Sequence, residues 1–232
     1  MAAVSAGPSV YWYLTRATGA VSLVLLTLSV VIGIAAIGRL QSASLPRFAI
    51  DGLHRTSSLL ALAFLLVHIL TAVLDSFAPI TLVNAVVPFG ALYRPLWLGL
   101  GAVAFDLLLA VIVTSLVRQR LGYASWRAVH WLAYLSWPVA LVHGFGTGSD
   151  VHQTWMLVID VACTVAFLAG VVTRVAIGWP AHPRLRVGAL GAALAFVLGL
   201  LAWLPGGPFG PHWARRAGTP PALLAPSSRG ST

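Results

Sequence analysis

The sequence predicts an all-α integral membrane protein, a bundle of six transmembrane helices. Hydrophobic residues make up 59% of the 232 positions and charged residues only 8%, whereas a soluble domain carries about 25% charged residues. Six apolar stretches reach the roughly 20 residues that a hydrocarbon core requires. The fourteen basic residues are all arginine and the five acidic ones all aspartate, and they gather mostly between the apolar stretches. A pI of 11.3 therefore does not imply nucleic-acid binding. Arginines in short loops set topology and meet lipid phosphates. The one cysteine, Cys163, excludes an intramolecular disulfide and any cysteine-based zinc or iron–sulfur site.

Residues 1–9 form a short N-terminal tail without the pattern of a cleavable signal peptide. Helix 1 covers residues 10–37, opened by the interfacial aromatics of "YWY". Helix 2 covers 53–75, with Asp51 placed to accept from free N–H groups of its first turn. Helix 3 covers 95–118, started by Pro95. Helix 4 covers 126–145, with Ser125 as its cap. Helix 5 covers 151–176, capped by Ser149 or Asp150, and helix 6 covers 186–204. The Pro- and Gly-broken apolar loop between helices 2 and 3 cannot cross a bilayer and is expected to lie over the outer end as a lid. Residues 205–232 are rich in Pro, Gly and Ser, which predicts a disordered tail.

Nine arginines lie at the level of the odd-numbered loops: Arg39, Arg47, Arg55, Arg118, Arg120, Arg127, Arg174, Arg184 and Arg186. Five lie at the opposite level: Arg16, Arg94, Arg215, Arg216 and Arg229. Cytoplasmic loops carry the excess of positive charge, so the odd loops are expected inside and both termini outside.

Helix 2 contains "LHRTSSLLALAFLLVH" and helix 4 contains "HWLAYLSWPVALVH". Ionisable residues within a span are costly and point to function. Helices 2 and 4 are separated by one span and run in the same direction. Their first histidines, His54 and His130, then share the inner level, and His68 and His143 share the outer level. Along a helix, 1.5 Å per residue separates the two levels by about 20 Å. Each level offers two imidazoles, too few for a tetrahedral zinc site. Two facing imidazoles suit a six-coordinate haem, whose porphyrin supplies the other four ligands. The predicted bundle therefore binds two stacked b-type haems: inner on His54 and His130, outer on His68 and His143.

Helical phase qualifies this. His54 and His68 are fourteen positions apart, which at 100° per residue leaves them about 40° apart on one face. His130 and His143 are thirteen positions apart, about 140° out of phase on a straight helix. Pro138 lies between them, so a bend or rewinding near Trp137–Pro138 is expected to realign them.

The two histidine pairs resemble the ferric reductase-like transmembrane domain, the haem core shared by ferric reductases, NADPH oxidases and the bacterial haem-binding membrane subunit of methionine-sulfoxide repair. The resemblance spans residues 10–176, five helices, with residues 177–204 adding a loop and a sixth. "RATG", "PFGALYRPLW" and "HGFGTGSD" are similar to stand-alone bacterial members. It implies that the four histidines hold the haems as paired above. Family reductases add a flavin- and nicotinamide-binding module. "LGLGA" at 98–102 is no dinucleotide fingerprint, because no strand precedes it, and "GFGTGS" at 144–149 follows a helix. The chain is thus expected to draw electrons from a separate donor protein or a membrane quinol.

Haem propionates are anionic and call for cationic partners. Arg55 and Arg127 flank the inner histidines; Arg16 and Arg94 belong to the outer side, with His152 nearby in sequence. Asp106 and Asp160 fall within spans and could fix a ligand histidine's tautomer or carry protons. The leading expectation is oxidoreductase-class transmembrane electron transfer to an external acceptor. A haem-containing anchor feeding a partner oxidoreductase is the second. A non-redox transporter fits poorly with two layers of two ligands.

Overall fold

The computed structural model describes residues 8–37 and 46–224. Arg39, Arg229, residues 1–7 and the last eight residues of the expected disordered tail lie outside the described residues. The described elements are helical: α1 (Val10–Ile37), α2 (Arg47–Leu74), a 3-10 turn (Leu82–Ala85), α3 (Pro95–Leu116), α4 (Arg118–Leu121), α5 (Tyr123–His130), α6 (Leu132–Thr147), α7 (Thr154–Ile177), α8 (Pro183–Gly206), α9 (Trp213–Arg216) and α10 (Pro221–Leu224). Five of these, α1, α2, α3, α7 and α8, are long and apolar enough to cross a membrane. The chain is an integral membrane protein.

The expected fourth span differs in form. It is divided at Trp131 into α5 and α6, and Pro138 lies inside α6. The interruption therefore falls one residue after His130 and well before the proline. Trp131 is set in place by its neighbours: its ring packs on Tyr134 and under the Arg174 guanidinium, and its carbonyl accepts from the Tyr134 N–H in a tight three-residue step. Trp131 keeps helical φ and ψ of −64° and −19°, so the step is a local tightening of one helical path, and phase arithmetic for a perfectly regular helix does not carry across it.

Three expected caps also differ. α2 begins six residues earlier than expected, behind Pro46, so Asp51 lies inside the helix. Ser125 is likewise inside α5. α7 starts after Gln153 without a side-chain cap, because Asp150 is engaged by Arg16 in a bidentate ion pair. Pro95 does open α3.

α1 is the central element. It packs along α2 on one side and against α6 and α7 on the other, while α3 packs along α6 and α8 packs on α7. Apolar side chains of α1, α6, α7 and α8 meet in one core that includes Ile34, Trp137, Leu141 and Phe167. Trp137 is fully buried, stacks on Phe167 with ring centres 4.1 Å apart, and donates its indole N–H to the Thr27 hydroxyl at 2.8 Å. Lipid is as apolar as leucine, so such packing and hydrogen bonding, and not water exclusion, hold the helices together. Trp137→Ala removes both and leaves a void, so a loss of about 3 kcal/mol is expected, seen as a lowered thermal unfolding midpoint in detergent.

The tail after α8 is not disordered as far as Leu224. It folds back over the end of α3. The Arg94 N–H donates to the Gly218 carbonyl and the Arg94 side chain to the Thr219 hydroxyl, each at 3.0 Å. Trp213 packs against Trp97 and Trp203. Composition misleads here because a few aromatic anchors suffice to dock a Pro- and Gly-rich segment. Trp97 accordingly belongs to this cluster.

Candidate functional site

α2 is continuous, so it carries His54 and His68 on one face, about 21 Å apart along its axis at 1.5 Å per residue. α5 presents His130 toward His54, and α6 presents His143 toward His68. The ring centres are 6.2 Å apart in the first pair and 6.5 Å in the second, with ring planes crossed at 71° and 88°. Two imidazoles that share one ion, each about 2.0 Å from it, have ring centres roughly 6.3 Å apart. Both pairs therefore have the separation of trans ligands on a single metal. Among the described residues, no three His, Cys, Asp or Glu cluster around any point, so each layer's donor set is two imidazoles.

Three of the four rings have a fixed tautomer. Nδ1 of His54 lies 2.9 Å from the Ser29 carbonyl, Nδ1 of His68 is 2.8 Å from that of Thr15, and Nδ1 of His143 is 2.8 Å from that of Trp97. A carbonyl only accepts, so Nδ1 carries the hydrogen and Nε2 keeps its lone pair for a ligand. The sequence reading offered Asp106 and Asp160 for this task; main-chain carbonyls of α1 and α3 perform it.

Glycine makes these contacts feasible. A Cβ on Gly19 would stand 3.0 Å from the His68 ring, on Gly33 3.1 Å from His54, and on Gly101 2.5 Å from His143. Each glycine lies four residues after the carbonyl that braces the same histidine. The Nδ1–Cε1 edge of the imidazole thus approaches bare helix backbone and reaches a carbonyl one turn back. Gly19 and Gly33 are fourteen positions apart, the same interval as His54 and His68. That matched spacing was visible in the sequence and would have revealed the braces. The fourth ring departs from the pattern: His130 Nδ1 is buried and has no hydrogen-bond partner.

One cavity of about 1490 Å³ runs past all four histidines. It exceeds the ~300–1,000 Å³ of an ordinary small-molecule site and has room for more than one large ligand. The loop after α2 covers the end near His68 and His143 with Phe77, Ile80 and Tyr93. Burial pushes the Tyr93 phenol up in pKa, against the lowering effect of Arg94 and the Thr219 hydroxyl.

All four arginines singled out from the sequence line this cavity. Arg16 is tied to Asp150 and stacks over Trp12, its guanidinium carbon 3.8 Å from the ring centre. Arg94 donates to the Gly146 carbonyl and to Thr219. Arg55 and Arg127 are exposed at the opposite end. Arg174, overlooked in the sequence, lines the cavity beside Trp131 and Tyr134, and its Nε is buried without a partner. Asp160 is buried and faces the cavity. Asp106 and His152 are not among the lining residues; His152 packs on Phe209 of the tail.

Residues 18–141, just over half of the chain, match the family described as "Ferric reductase like transmembrane component". The match takes in His54, His68 and His130 and ends two residues before His143. No curated protein and no solved structure matches the chain.

Proposed function

Because this chain belongs to the ferric reductase like transmembrane component family, a membrane domain whose character is electron transfer, we propose that it is a di-haem b-type transmembrane electron carrier. The observation that carries this reading is the pair of facing imidazole layers, with ring centres 6.2 and 6.5 Å apart. His54 and His130 would hold one haem, and His68 and His143 the other. Bound there, the haems supply one-electron chemistry and a path across most of the hydrocarbon. The protein's own residues fix the ligands: Ser29, Thr15 and Trp97 carbonyls set three tautomers, and the glycines set ring positions.

Arg55, Arg127 and Arg174 would face inner-layer propionates, and Arg16 and Arg94 those of the outer layer. The excess of arginine at the His54 level puts that layer on the cytoplasmic side, facing a donor protein or a membrane quinol, with an acceptor outside.

The deciding experiment is a reduced-minus-oxidised spectrum with haem quantification on protein purified in detergent. Two b-type haems per chain are expected; a folded, colourless protein would overturn the proposal. Crossed ligand planes add a finer expectation. Perpendicular imidazoles leave the two iron dπ orbitals close in energy, so both oxidised haems should give strongly anisotropic low-spin EPR signals. Ordinary rhombic signals would mean that the ring orientations differ from 71° and 88°.

A further inference from the structure

The fourth histidine has lost its brace for an identifiable reason. In the other three cases a carbonyl and, four residues later, a glycine form the seat of the imidazole. On α1 the two seats are fourteen residues apart: Thr15 with Gly19, and Ser29 with Gly33. On α3 the outer seat is Trp97 with Gly101. Fourteen residues further along α3 are Val111 and Ser115. α3 packs against both α5 and α6, so this is the level of His130.

Serine at this position closes the seat in two ways. It restores the Cβ that glycine omits. Its hydroxyl also donates to the Val111 carbonyl at 2.6 Å, occupying the acceptor that His130 would use. The same hydroxyl accepts the Trp126 indole N–H at 3.1 Å. The Trp126 ring in turn lies over the His130 ring, centres 4.9 Å apart and planes 33° from parallel. A chain of three contacts thus runs from Val111 through Ser115 and Trp126 to the face of His130.

We propose that Ser115 is a positioning residue that exchanges a hydrogen-bonded seat for a stacked one, making His130 the one releasable ligand of the four. The inference rests on the di-haem reading. A ligand imidazole without an Nδ1 acceptor is a weaker donor, and no second hydrogen bond fixes its tautomer or ring orientation. Stacking on Trp126 limits where the ring lies but supplies no charge to it. The inner haem is therefore the one at which an exogenous ligand can displace an imidazole, while the outer haem, braced on both sides, is inert.

Carbon monoxide tests this, since it adds only to a ferrous haem that has given up an axial ligand. In the reduced protein, carbon monoxide is expected to perturb one haem of two. Ser115→Gly opens the seat and frees the Val111 carbonyl. It should suppress carbon monoxide binding and lower one haem midpoint potential; a tenfold change in the relative affinity of the two oxidation states corresponds to about 59 mV for one electron. Ser115→Ala keeps the Cβ but drops the Trp126 contact, so it should instead increase carbon monoxide binding, typically within the ~10–100-fold range of outer-shell ligand effects. Trp126→Phe, which retains a stacking ring without the N–H, should act in the same direction as alanine. Opposite signs for glycine and alanine are the signature, since a merely structural serine would respond alike to both. Two haems equally inert to carbon monoxide, or equal responses in the two Ser115 variants, would overturn the inference while leaving the di-haem reading standing. A protein without haem would overturn the di-haem reading itself.

Discussion

His68→Ala is expected to yield a protein with one haem in place of two, and His54→Ala the same count with the other haem missing. Each layer contributes two imidazoles and no third donor from His, Cys, Asp or Glu among the described residues, so one deletion leaves a single protein ligand. Metal binding depends on its few protein ligands, and among the described residues no neighbouring carboxylate or thiol joins either pair to replace the lost nitrogen. The layers are about 21 Å apart along α2, far enough that loss of one should not dissolve the other. Pyridine haemochrome quantification checks the count, and potentiometric titration checks which midpoint vanishes. His54→Ala and His130→Ala should lose the same component; His68→Ala and His143→Ala should lose the other. Any crossing of these pairs would mean that the layers are assigned wrongly.

Gly101→Ala is expected to have the second largest effect, although it adds only one methyl group. That methyl would stand 2.5 Å from the His143 ring, inside van der Waals contact, so the ring must move. Moving it also stretches the 2.8 Å bond from Nδ1 to the Trp97 carbonyl. Overpacking of this kind costs about 1–3 kcal/mol, and here it falls directly on ligand geometry. Most of the outer haem should be lost and the inner retained. Gly19→Ala meets His68 at 3.0 Å, a contact the ring can relieve by a small shift, so a partial loss is expected. Gly191→Ala, on the lipid-facing α8 with nothing within 4 Å of the new atom, should change nothing. The gradient across the three variants is read from haem content per folded protein.

Five of the six expected spans and the facing of the histidines were legible because they depend on long-range sums: twenty apolar residues, or two imidazoles a fixed number of turns apart. Caps were not, because they depend on local competition. Asp150 has the chemistry of a helix cap, but Arg16, 134 residues away in sequence, claims its carboxylate. A bend or rewinding is expected near Trp137–Pro138; Pro138 lies inside α6, and the local irregularity that the structure shows falls at Trp131, whose neighbours Tyr134 and Arg174 only a folded chain brings together. The braces escaped notice for another reason. Backbone carbonyls have no letter in the sequence, and the only trace they leave is a glycine four residues later.

The seat of carbonyl and glycine recurs at intervals of fourteen residues, and that interval sets a limit on the architecture. Two seats on one helix stand about 21 Å apart, and a third would stand about 42 Å from the first. The hydrocarbon core is about 30 Å thick. A chain that indexes its imidazoles by this ruler therefore has room for two such layers within a bilayer and not for a third.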